Sequence, residues 1–163
     1  LNAVALNLTA SQRLLSWLQH TPLSTAIRRS DWAVMALEAV HLLGLALLGG
    51  AACLLGLAAL RRTGLRGLPL GTLVLGLRPL IAAGLVLMIA SGLTIASSMP
   101  FKYYLNDAFR LKMVLFVAAL VATAVLMRNR SYAGSTVRQR GLALFAVLLW
   151  FGVGICGRVI GFL

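Results

Sequence analysis

Four long apolar runs, and little else, occupy this chain of 163 residues. They cover about 32–60, 79–99, 111–127 and 141–163, and 70–77 is a possible extension of the second below Arg78. Each is close to or above the roughly 17–25 residues that a helix needs to cross a bilayer. None alternates with period two, so strands are not expected. In lipid every backbone polar group must be satisfied within the protein, which suits helices of this length. Composition agrees: 61% of residues are hydrophobic and 11% charged, against roughly 45–50% and about 25% in soluble domains. One small core cannot hide that much apolar surface. The expected fold is all-α: an integral membrane four-helix bundle (32–163) behind an N-terminal amphipathic interfacial helix within an outer-side preamble (1–31).

The interruptions give an orientation. Lys and Arg total 15 against 3 Asp and Glu, a net charge of +12. In a soluble chain that balance would point to nucleic acid. Here the basic residues lie mostly between apolar runs, no basic face or aromatic–basic module appears, and nucleic acid is not an expected partner. The lipid bilayer is, with anionic headgroups and the positive-inside bias accounting for the charge. Arg61, Arg62 and Arg66 separate the first two runs, and Arg128, Arg130, Arg138 and Arg140 the last two. Neither connection holds an acid. The middle connection carries Lys102, Asp107 and Arg110 with Phe101, Tyr103, Tyr104 and Phe109, an aromatic cluster suited to a membrane interface. The two Arg-only connections are therefore placed in the cytoplasm. The expectation is a multi-pass protein of a bacterial-type inner membrane, with both termini periplasmic. Residues 1–10 are apolar but short and lack a basic start, so they do not read as a complete signal peptide.

Within the preamble, Ser11 is a candidate cap for a helix carrying Leu14, Leu15, Trp17 and Leu18. Thr21-Pro22 reads as an N-cap followed by proline at the first helical position. Ser30 and Asp31 are expected to cap the first span. The reading taken is an amphipathic helix lying in the interface; the alternative is a lid or docking surface.

Few residues can carry chemistry. Cys53 and Cys156 fall at different depths, so no disulfide is expected. There is no C-x-x-C, H-E-x-x-H, P-loop or dinucleotide fingerprint, no convincing Ser-His-Asp set, and no independent catalytic activity is expected. Glu38 and His41, spaced i, i+3, share one face of the first span. Ionisable groups inside a membrane are costly, and they usually have partners or a function. Glu38 lies about 9 Å from the outer end of its span and Arg158 about 8 Å from the outer end of the fourth, so a Glu38–Arg158 ion pair is a candidate. His41 lies about 14 Å in, and Met88 on the second span about 16 Å from the same face. Imidazole and thioether form a known haem axial set. Gly44, Gly84 and Gly92 are expected to leave room for a flat macrocycle. Arg158, Arg110 and Lys112 would neutralise haem propionates. His20 is an alternative second ligand. Gly157-x-x-x-Gly161 permits close helix approach, within the bundle or against another subunit.

These residues also carry a resemblance. Trp17-Leu18, Thr21-Pro22-Leu23 and Ala26-Ile27-Arg28 precede Glu38-Ala39-Val40-His41-Leu42-Leu43-Gly44. Tyr103-Tyr104, Asn106, Phe109-Arg110-Leu111-Lys112 and Gly157-Arg158 follow. The pattern resembles an uncharacterised family of small bacterial four-helix membrane proteins, a domain of unknown function. Its histidine at the end of the third span is replaced here by Met127. The start of the first span is also distantly similar to copper-resistance-D-type proteins and to haem-binding four-helix protoporphyrinogen oxidases. That similarity implies His41 as the metal or haem position. The leading expectation is a cytochrome-b-like subunit that binds haem b through His41 for electron transfer. The alternative is a cofactor-free accessory subunit of a larger respiratory or photosynthetic complex, in contact with other membrane subunits. A third reading, copper handling through His41, Met88 and Met35, is disfavoured because no polar pathway is evident.

Overall fold

The computed structural model describes residues 10–60, 70–128 and 137–160; the side chains of residues 10–12 and 31 fall outside that description, with the caps expected from Ser11 and Asp31. The described residues form α1 (Ala10–Gln19), α2 (Pro22–Arg28), α3 (Asp31–Leu60), α4 (Leu70–Ser98), α5 (Pro100–Tyr104), α6 (Asp107–Arg128) and α7 (Val137–Ile160). The four long helices are apolar enough and long enough to cross a membrane. The protein is an all-α, multi-pass membrane protein.

Local chemistry sets several helix starts. Thr21 Oγ1 accepts from the Ser24 N–H at 3.3 Å, and Pro22 occupies the first turn, where its missing N–H costs nothing. Ser30 Oγ accepts from the Ala33 N–H at 3.3 Å. Asn106 Oδ1 accepts from the Phe109 N–H at 3.2 Å, with Asp107 in the first turn of α6. α4 is longer than 79–99. It starts at Leu70 and runs through Arg78 and Pro79. Proline removes one backbone donor, and the exposed position of Pro79 keeps its ring clear of neighbouring helices.

α3 is the central helix, packed along α4 and α7, and α6 packs along α7. The core is built from small residues, including Ala52, Ala59, Ala119, Ala143 and Ala146, around the larger Leu48, Leu55, Leu126 and Val153. Without a hydrophobic drive between helices in lipid, close packing of this kind holds spans together. It is tightest at the α3–α4 crossing. A Cβ on Gly84 would lie 2.5 Å from the Leu48 nitrogen and 2.8 Å from the Gly44 oxygen. One on Gly44 would lie 2.9 Å from the Met88 nitrogen. Elsewhere in the core, Trp150 Nε1 donates to Thr123 Oγ1 at 3.0 Å, and that hydroxyl donates to the Ala119 carbonyl at 2.7 Å.

α1 and α2 cover the end of the bundle where α4 finishes and α3 and α6 begin. Leu14 and Trp17 of α1 are exposed, as an interfacial helix requires. α2 is clamped instead. Arg28 donates to the Ser98 carbonyl and to the Gln19 carbonyl, both at 2.7 Å. The fully buried Ser24 donates to the Ser97 carbonyl at 2.9 Å. The last carbonyls of α4 thus receive a cation and a hydroxyl, the partners that a helix C-terminus favours.

Candidate functional site

On α3, His41 points between α4 and α6. Its Nδ1 lies 2.9 Å from Ser91 Oγ on α4. The Ser91 hydroxyl donates its single proton to the Leu87 carbonyl at 2.5 Å, so toward His41 it accepts. Nδ1 therefore carries the ring proton and donates. Nε2 is left with its lone pair, and Lys112 Nζ of α6 donates to it at 3.5 Å. The hydrogen bonds run in one sense: Lys112 to His41 to Ser91 to the backbone of α4. Lys112 is buried, with 9% of its surface exposed.

Glycines shape the surroundings. A Cβ on Gly92 would lie 3.0 Å from His41 Cε1, so α4 needs glycine there to admit the ring. A Cβ on Gly157 would lie 3.4 Å from Lys112 Nζ. Cys156, next to Gly157 on α7, is close enough to Lys112 for the two to interact electrostatically. All four spans thus contribute to the cluster. One turn from His41, toward the α1–α2 end, Glu38 is exposed. Its charge acts on Tyr103 of α5. Burial, and then the Glu38 carboxylate, push the Tyr103 phenol above its ordinary range. The Tyr103 ring packs against Phe109 at 5.3 Å between centroids.

The structure brings together His41 and Lys112, with the Met88 backbone beside the ring. Met88 is buried in the core below the cluster, and its carbonyl lies 3.5 Å from Ser91 Oγ. His20 is exposed at the end of α1, with Nδ1 donating to the Ser16 carbonyl at 2.7 Å. Arg110 is engaged at the surface by Asp107 at 3.3 Å and by the Tyr104 carbonyl at 3.1 Å. Arg158 is exposed on α7. Gly157 faces Lys112 inside the bundle, and Gly161 lies outside the described residues. Cys53 and Cys156 are both free thiols.

A model of a family of unknown function (DUF6644) matches residues 25–163. The chain belongs to that family. No curated protein and no solved structure matches it. The match opens within α2, so it takes in every residue of the cluster and leaves α1 outside.

A haem on His41 can be tested against this geometry. Gly44 and Gly84 take up the room expected for a macrocycle, because they bring the α3 and α4 backbones into contact. Both ring nitrogens of His41 already have partners. Among the described residues, no group of three His, Cys, Asp or Glu side chains stands ready for a metal ion. As arranged, these residues do not fit a haem or a bare metal ion. Ser91 is the member that sequence reading misses. A serine in a span usually bonds to its own helix, as Ser91 also does, and only its depth, seven residues before the end of α4, matches it to His41.

Proposed function

We propose that this membrane protein binds and releases a proton inside its bundle, at the imidazole of His41, with Lys112 and Ser91 as its relay partners. The observation that carries this reading is the one-way hydrogen-bond chain from Lys112 through His41 to Ser91, which links α6, α3 and α4. Histidine is the side chain whose ordinary titration falls between pH 5 and 8. Ionisable groups held in a bundle interior commonly mark proton pathways. At 3.5 Å, two positive charges would repel by about 5 kcal/mol at an effective dielectric constant of about 20. His41 and Lys112 therefore hold one proton between them more readily than two. A proton taken by the imidazole is one that Lys112 gives up, so the pair can pass it between α3 and α6. Glu38, three residues before His41 on the same face and exposed, is the group through which the site would exchange protons with the membrane surface.

The test is ¹⁵N NMR of the histidine ring, in full-length protein reconstituted into lipid nanodiscs, between pH 5 and 9. The two ring nitrogens of His41 should change protonation state in that range, and Lys112→Met should alter the transition. A ring that keeps one state throughout would overturn the proposal. A dithionite-reduced visible spectrum of the same sample checks the haem expectation. A b-type α-band lost in His41→Ala would replace the proton reading with a cytochrome.

A further inference from the structure

We infer that the groove between α1, α4 and α5 binds a lipid-soluble quinone, with a carbonyl of its ring on the Tyr103 hydroxyl and its tail against the leucines. The groove has a volume of about 480 Å³, within the roughly 300–1,000 Å³ of small-molecule sites. Leu15 and Leu18 of α1 and Leu93 and Ala96 of α4 give it apolar walls. Tyr103, Tyr104 and Phe109 give it aromatic ones. It lies at the end of the bundle that carries the amphipathic α1 and the aromatic cluster, the level of the membrane interface, where an occupant reaches it from the lipid.

The polar groups select the head. Thr94 Oγ1 donates its proton to the Ala90 carbonyl at 2.8 Å, and Ser97 Oγ donates to the Thr94 carbonyl at 2.9 Å. Neither has a proton left for a ligand. The Tyr103 and Tyr104 hydroxyls have no hydrogen-bond partner among the described residues. Tyr104 is exposed, with the Arg110 guanidinium 5.9 Å from its ring centre. Tyr103 is half-buried, and burial and the Glu38 carboxylate hold its phenol above the ordinary range, so it stays a donor. The head therefore needs an acceptor oxygen. It also has to be uncharged. No Lys or Arg lines the groove. Arg110 pairs with Asp107, and Lys102 stands in a separate surface hollow with that same acid. The charge that acts on Tyr103 is the Glu38 carboxylate, which repels the phosphate or carboxylate of an anionic lipid. A bare acyl chain leaves the phenol unpaired. A flat ring with neutral carbonyl oxygens, on an apolar tail, meets the aromatic walls, the donor and the leucines together. The groove is apart from His41, and its occupation does not depend on the proton reading.

The experiment titrates decylubiquinone into the full chain in zwitterionic nanodiscs. The chain has 3 tyrosines, so ¹³C NMR of ring-labelled tyrosine reads the site, with Tyr103→Phe assigning the Cζ signal. That signal should shift with added quinone and saturate. Partition of the quinone between protein-loaded and empty nanodiscs gives the affinity. Tyr103→Phe should weaken it by about two- to tenfold, the worth of one net hydrogen bond. Ala96→Phe, which fills the groove from α4, should abolish saturable binding with the helical circular dichroism unchanged. Decylbenzene and palmitate should not displace the quinone at equal concentration. A Tyr103 signal that stays put, or uptake no greater than that of empty nanodiscs, overturns the inference and leaves the groove to a lipid acyl chain or to residues 1–9 of the chain itself. Displacement by decylbenzene or palmitate overturns the choice of head. Saturable binding that survives Ala96→Phe overturns the placement. The proton reading stands in each case, because its own test reads His41.

Discussion

At the residue scale, the cluster depends on Ser91 as much as on the two groups that carry charge. Replacing it by alanine removes the hydroxyl that accepts from His41 Nδ1–H and leaves the Met88 carbonyl as its neighbour, a net loss of about 0.5–1.5 kcal/mol. Ser91→Ala should therefore lower stability by that order in an unfolding titration in mixed micelles. It should also release the ring tautomer, which ¹⁵N shifts report directly. Tyr103 gives a second prediction, in pH. Its phenol is held above the ordinary value in the folded protein, by burial first and by Glu38 second. Above about pH 10 the unfolded chain loses this proton while the folded one keeps it. Stability is then fully present below pH 10 and falls as pH rises through the folded value. Glu38→Gln should make that decline shallower, and phenolate absorbance should appear at lower pH. Unchanged absorbance would remove the Glu38–Tyr103 interaction. The sequence made Glu38 and His41 legible because polar groups are conspicuous in an apolar run. It left Lys112 at the membrane surface as a propionate partner, because a long side chain reaches several ångströms from its own depth and spacing does not say in which direction.

At the element scale, the four long helices were readable from hydrophobicity alone, since length and apolar content are what lipid demands of a span. The glycines were not. Gly44 and Gly84 read equally well as space for a ligand or as a contact between backbones, and the structure makes them a contact. Gly84→Ala would press a Cβ to 2.5 Å from the backbone nitrogen of Leu48, which no rotamer change relieves. A loss of about 1–3 kcal/mol or more is expected, as for other overpacked interiors. Gly76, on the same helix, has nothing within 4 Å. Gly76→Ala should be neutral or gain about 0.5–1 kcal/mol from the helix preference of alanine. Equal effects from the two substitutions, in thermal unfolding in detergent, would contradict the tight α3–α4 crossing. The α2 clamp was equally hidden. In the sequence Arg28 is only the last residue of the Ala26-Ile27-Arg28 motif. In the structure it closes the C-terminal end of α4. Arg28→Ala should free α1–α2 from the bundle and speed protease cleavage in residues 19–30, with the spans intact. Cleavage at the parent rate would mean that Ser24 and Ile27 suffice to hold α2.

At the scale of the whole molecule, four spans put the start of α3 and the end of α7 on one side of the membrane. The positive-inside bias depends on which end carries more basic charge. At the α1–α2 end, Arg28 is engaged by two carbonyls and Arg110 by Asp107, while Lys112, drawn inward to His41, belongs to neither surface. At the other end α6 finishes on Arg128 and α7 opens with Arg138 and Arg140 in its first turn, and the sequence 128–140 contains no acid. Cysteine labelling tests which end is cytoplasmic. Leu105 is exposed at the α1–α2 end and Val137 at the opposite one, where α7 begins. In a Cys53→Ser, Cys156→Ser background, a membrane-impermeant maleimide should label Leu105→Cys in intact cells. Val137→Cys should react only after permeabilisation. The reverse pattern would invert the protein. It would also invert the direction in which Glu38 faces, and with it the side of the membrane from which the His41 site exchanges its proton.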